Sequence, residues 1–186
     1  MDSTVPRICL AIVVLLCTWS NAHAQSEPNA ATPDSPYWGV AAGPSLAVPR
    51  WESRSEERAL LIAPSVSFAQ ASWLDFVIEG HLAQYFSPEG YVIGVTPGWR
   101  MYFGSRRCRP FVAGGFGVSV TDLNQLHEID RRFNYLSQVS AGLQVATAGG
   151  RAFTLETRFY HMSNGSTRPP NIGLNGLAVL AGWRSR

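Results

Sequence analysis

The sequence predicts an all-β fold: an eight-stranded antiparallel transmembrane β-barrel of the bacterial outer-membrane type. Three observations lead there. Segments of about ten or more residues alternate apolar and polar side chains with period two, the signature of a strand with two unlike faces. Aromatic residues, among them Trp73, Phe86, Tyr91, Phe103, Tyr160 and Trp183, fall near segment ends, where a membrane barrel carries its girdles. The connections also roughly alternate in length, the short Ser87–Gly90 link being an exception, as short periplasmic turns and longer outer loops do. A soluble calycin-like barrel shares the alternation, because period alone does not say which face is outside. Segment length and aromatic placement favour the membrane version.

The chain's 186 residues suit a single domain. Residues 1–24 read as a signal peptide. Arg7 precedes the apolar run Ile8 to Trp19, and Ala22-His23-Ala24 offers small residues for cleavage after Ala24. Leu16 stands before Cys17 where a lipobox needs a small residue, which argues against a lipid anchor. Residues 25–36, rich in Pro, Ser, Ala and Asn, read as a flexible leader. Residues 37–186 form the barrel, with strands expected at Tyr37–Val48, Ala59–Ala69, Trp73–Phe86, Tyr91–Phe103, Arg109–Val120, Phe133–Thr147, Ala152–Ser163 and Gly173–Arg184.

Three of these strands have assignable faces. Leu74, Phe76, Ile78, Leu82 and Phe86 oppose Asp75, Glu79 and His81. Tyr91, Ile93, Val95, Trp99, Met101 and Phe103 oppose Thr96 and Arg100. Tyr135, Val139, Ala141, Leu143 and Val145 oppose Asn134, Gln138, Ser140 and Gln144. In a membrane barrel the apolar set meets lipid and the polar set fills the interior.

Composition removes several function classes. A net charge of +2 is too small to mark a nucleic-acid binder. Cys108 alone outlasts the signal peptide, so no internal disulfide forms. His81 with Asp75 and Glu79 reads as an interior polar network rather than a metal site. His127, Glu128 and Asp130 read as a solvated loop. Gly114-Gly115-Phe116-Gly117 lies within a strand with no helix after it, so it is no phosphate loop. No metal or cofactor is expected.

The seventh strand carries the chemistry. Phe153, Leu155, Thr157, Phe159, His161 and Ser163 share its apolar face, so that face ends in a histidine and a serine one pleat apart. Imidazole beside a hydroxyl is the minimum apparatus of nucleophilic acyl transfer. With the N-terminus inside, both residues lie at the outer end of the barrel and face lipid, within reach of an outer-leaflet substrate. The plainer account is that polar residues reappear there at the headgroup boundary. Asn175, also on an apolar face with Leu177, Val179, Ala181 and Trp183, is placed to reach His161.

The motif His161-Met162-Ser163-Asn164, followed by Pro170-Asn171-Ile172-Gly173, resembles the PagL-type lipid A 3-O-deacylases. These are eight-stranded outer-membrane barrels that hydrolyse the ester-linked acyl chain at the 3-position of lipid A from a site on their lipid-facing surface. The resemblance is specific over residues 161–175. It implies Ser163 as nucleophile, His161 as general base, and Asn171 with Asn164 as oxyanion donors. Where the family has an acidic residue to orient the histidine, this chain has Asn175, whose amide oxygen can accept the imidazole N–H without supplying charge. Singly, Asn164 and Asn171 also read as turn formers. The expected partners are lipid A in the outer leaflet and membrane lipids, with a homodimer left open. The rival expectation is a structural or lipid-binding barrel without catalysis.

Overall fold

The computed structural model describes residues 36–48, 57–104, 107–123, 129, 131–167, 169 and 172–186. The expected signal peptide, nearly all of the leader, and the His127, Glu128, Asp130, Pro170 and Asn171 positions lie outside the described residues. Eight strands follow one another: β1 (Tyr37–Ala47), β2 (Arg58–Ala71), β3 (Leu74–Ser87), β4 (Glu89–Tyr102), β5 (Cys108–Thr121), β6 (Phe133–Ala146), β7 (Ala152–Ser163) and β8 (Leu174–Ser185). Each pairs antiparallel with the next, and β1 pairs with β8, so the sheet closes into a barrel without free edges.

Strand boundaries differ from expectation where connections are tighter than composition suggests. β4 begins at Glu89 because Glu89 and Gly90 already pair with Phe86 and Tyr85, leaving Pro88 as the sole link to β3. β2 runs on to Ala71, with an irregularity in its pairing to β3 between Ala69 and Ala71. β8 starts one residue late because Gly173 adopts φ +76°. The Gly114-Gly115-Phe116-Gly117 stretch is internal to β5.

The faces sort as the alternation requires. In β7 the residues from Ala152 to Tyr160 are buried at every second position, while Phe153, Leu155, Thr157 and Phe159 are exposed. Exposed Trp38, Trp73, Phe103, Phe153 and Trp183 ring the end where β1 starts and β8 finishes; Phe86, Phe133 and Tyr135 mark the other end. An apolar outer band between aromatic girdles suits hydrocarbon.

The interior is filled. Midway, Arg158 pairs with Glu79 (2.6 Å) and with Glu156, while Arg100 approaches Glu156 at 3.8 Å. Gln138 Nε2 donates to Glu79 (2.6 Å) and to Thr96 Oγ1 (2.9 Å). Nearer the end with the short turns, Arg184 holds Asp75 at 2.8 Å and donates to Tyr102 and Gln144. Towards the other end, Tyr160 shares hydrogen bonds with Ser45 (2.9 Å) and Tyr85 (3.0 Å), within a largely apolar cluster that includes Leu61, Leu136, Met162 and Leu180. His81 lies edge-on to Tyr160, with ring centroids 4.8 Å apart. Asp75 and Glu79 are thus taken by arginines. They form an interior network of the expected kind.

Candidate active site

The candidate site is on the outer wall, where β6, β7 and β8 run side by side. Alternation puts His161 and Ser163 on the outward face of β7, about 6.6 Å apart by the strand rise; both are half-buried. Register then decides their neighbours. His161 stands opposite Asn175 of β8 and opposite Ser137 of β6, while Ser163 stands opposite Tyr135. A polar row, Ser137–His161–Asn175, therefore crosses three strands, with Ser163 one pleat nearer the rim.

The central contact is a hydrogen bond of 2.8 Å between His161 Nδ1 and Asn175 Oδ1. With Oδ1 as acceptor, Nδ1 carries the proton and Nε2 is left unprotonated, the tautomer a general base needs. Asn175 is buried although it points outward from the barrel axis, so little competes for its oxygen.

Two glycines fit the loop after β7 around this pair. Gly173 packs against the Cε1–Nε2 edge of His161, where a Cβ would overlap the ring, and its positive φ of 76° is costly for any L side chain. Gly165, at φ 66°, lies over Tyr135: an added Cβ would come 2.7 Å from the ring. The imidazole is thus bonded on one edge and packed on another, while Tyr135 stands opposite Ser163 on β6. Tyr135 in turn stacks on Phe116 (5.9 Å, 17° between planes) and meets Phe133 edge-on (6.0 Å).

Of the residues singled out in the sequence, His161 and Asn175 are bonded to each other, and Ser163 lies one pleat away on the same face of β7. Asn164 is buried directly after Ser163, its carbonyl accepting the Thr167 hydroxyl at 2.9 Å and the Thr167 amide at 3.4 Å. Asn171 lies outside the described residues. Ser163 Oγ makes no hydrogen bond to His161 among the described residues; nucleophile–base contacts in apo sites are commonly long and tighten with substrate. Sequence reading missed Ser137. The signal was available: it is the one position where the apolar face of β6, from Tyr135 to Val145, carries an aliphatic hydroxyl.

Fold and site together define an outer-membrane-type barrel with a polar row, Ser137, His161 and Asn175, on its outer wall rather than in its interior. The lipid A 3-O-deacylase (PagL) family model matches residues 50–184, and the chain belongs to that family. Among solved structures, the outer membrane enzyme PagL superposes with a TM-score of 0.60 at 17% identity, covering 81% of this chain and 99% of that one. Neisserial surface protein A superposes with a TM-score of 0.63 at 11% identity, covering 81% and 96%. At these identities the likeness is one of fold. No curated protein matches the chain in sequence.

Proposed function

We propose that this protein is an outer-membrane esterase that removes the ester-linked 3-O acyl chain of lipid A, with Ser163 as nucleophile, His161 as general base and Asn175 as the residue that orients it. The observation that carries this reading is the 2.8 Å His161–Asn175 hydrogen bond on the lipid-facing wall. A buried amide bonded to an imidazole where hydrocarbon is expected has no use in barrel stability, since polar groups on that face are unfavourable.

In the proposed reaction, Nε2 of His161 takes the Ser163 hydroxyl proton as Oγ attacks the ester carbonyl. The tetrahedral intermediate collapses with the sugar oxygen leaving, protonated by the imidazolium. Water, activated by the same histidine, then releases the fatty acid. Asn164 and Asn171 are assigned to the oxyanion by family resemblance; amide donors aimed at a developing alkoxide contribute about 3–4 kcal/mol in other enzymes. Asn175 fixes the tautomer but offers the imidazolium no charge. The site needs no metal for these steps. The outer rim, where Ser163 ends β7, is assigned to the outer leaflet, and residues 1–24 to a signal peptide cleaved after Ala24.

The test is mass spectrometry of lipid A from cells expressing the parent chain, Ser163→Ala or His161→Ala, each checked for folding in the outer membrane. The parent should remove one 3-O acyl chain and neither variant should. Intact lipid A with a correctly folded parent chain would instead identify a non-catalytic barrel.

A further inference from the structure

The two rims of the barrel differ in charge. At the rim where Ser163 ends β7, the described charged side chains are Glu57, Glu89, Asp122, Arg58, Arg131 and Arg132, three acids against three arginines. At the rim where β1 starts and β8 finishes they are Asp75 against Arg107, Arg109, Arg151, Arg184 and Arg186, one acid against five arginines. Asp75 is taken by Arg184 inside the barrel mouth. The other four arginines have no acidic partner among the described residues.

Three of those four form a strip along one side of the rim. Arg107 Nε donates to the Ala146 carbonyl at 2.7 Å. Ala146 pairs with Ala152, the residue after Arg151, and Ala152 pairs in turn with Arg184, two residues before Arg186. The Arg186 side chain passes beside the β6–β7 turn, where a Cβ on Gly150 would meet its Cδ at 3.8 Å. Arg107, Arg151 and Arg186 therefore follow one another along the strand ends from β5 to β8, all exposed. Strands about 4.8 Å apart give the strip a length of roughly 15 Å. Arg107 uses only its Nε on the backbone, and the Arg186 guanidinium lies face-on over the Tyr37 ring at 4.9 Å. Both contacts leave the terminal amino groups for a phosphate, which a guanidinium grips with two parallel hydrogen bonds.

Depth names the source of that phosphate. Exposed Phe153, two residues after Arg151, pairs with exposed Trp183, three residues before Arg186. At a rise of about 3.3 Å per residue, the arginines lie no more than about 10 Å beyond this aromatic girdle, at the level of the lipid headgroups. We propose that Arg107, Arg151 and Arg186 form a binding strip for the phosphodiester headgroups of anionic glycerophospholipids, in the leaflet opposite the candidate active site. A zwitterionic headgroup offers the same phosphate with a cation attached, so the strip selects by net charge. Each arginine should contribute about fivefold in affinity.

The experiment places the full mature chain in micelles of a neutral detergent and titrates it with phosphatidylglycerol or phosphatidylcholine of identical acyl chains, counting bound lipids by native mass spectrometry. The parent chain should bind phosphatidylglycerol at least tenfold more tightly. The triple variant Arg107→Gln, Arg151→Gln, Arg186→Gln should lose at least tenfold of that preference. Arg58→Gln, Arg131→Gln, Arg132→Gln at the opposite rim should keep it. Arg151 has no side-chain partner to lose, so Arg151→Gln alone, with an expected loss of about fivefold, carries the test should the triple variant fail to fold. A parent chain without the preference, a strip variant that retains it, or an equal loss at the opposite rim overturns the proposal. Displacement of the lipid by an equal concentration of inorganic phosphate would identify a free-phosphate site and overturn the lipid assignment.

Discussion

The barrel holds two polar clusters built on opposite principles. Inside, Arg158, Glu79, Glu156 and Arg100 are buried charges that pair with one another, with Gln138 bonded to Glu79 and the Arg100 guanidinium over the Phe111 ring. Outside, half-buried Ser137, His161 and Ser163 accompany buried Asn175, with one short hydrogen bond, between His161 and Asn175, among them. The interior cluster fills space that a small barrel must fill, and its charges are mutually neutralised. The outer cluster fills nothing and meets hydrocarbon, so it is the one whose presence needs a substrate. Removing a member should therefore harm stability in the first case and chemistry in the second.

The largest separation of the two is expected from Ser163→Ala. It should lower ester hydrolysis by about 10⁴-fold or more, the scale on which nucleophile removal acts in serine hydrolases. Its urea midpoint in lipid should stay that of the parent. Arg158→Ala should do the reverse. Stripping the cation from Glu79 and Glu156 leaves buried carboxylates short of a partner, a loss of about 3–5 kcal/mol, seen as a lower urea midpoint and a smaller fraction with the folded mobility in cold-SDS gels. Should Ser163→Ala unfold the barrel, or Arg158→Ala leave it intact, the division between the clusters fails.

Asn175 probes the outer cluster more finely. Asn175→Leu removes the acceptor from His161 Nδ1 and should cost about 10²-fold in kcat. That is less than the roughly 10⁴-fold lost when an amide replaces the acid of the serine-protease template, because there the amide holds the wrong tautomer, whereas removing the acceptor here leaves the tautomer free. Asn175→Asp keeps the side-chain shape and adds the charge. A charge-assisted bond in place of a neutral one should raise kcat about tenfold. An unchanged rate in both variants would mean that the 2.8 Å contact does not orient the base.

Much of this was legible in the chain. Period-two alternation assigned the faces of β3, β4 and β6, and length with aromatic ends chose lipid for the apolar face, because both are local properties of a strand. Register is not local. Nothing within β6 says that Ser137 stands opposite His161; that follows only once the short β6–β7 connection and the pleat are fixed together. The arginine partners of Asp75 and Glu79 were hidden for the same reason. They come from β8 and β7, far along the chain. The His161–Asn175 pairing was foreseeable because the two strands are consecutive and the polar residues interrupt apolar faces on both.

Gly173 gives the finest test of the outer cluster, since it touches the imidazole without any polar group of its own. Gly173→Ala adds a methyl where the Cε1–Nε2 edge of His161 now lies, at a backbone φ of 76°. The conformational strain alone is about 1–2 kcal/mol for an L residue, local to the start of β8. The ring must also rotate or shift away from Asn175, and a displacement of the order of 1 Å in a catalytic group can cost up to about 10²-fold. The expected result is a kcat lowered about 10-fold or more with a small fall in urea midpoint and KM little changed, as befits a residue that positions the base without touching substrate. A variant that lost stability but kept its full kcat would show that Gly173 serves only the turn.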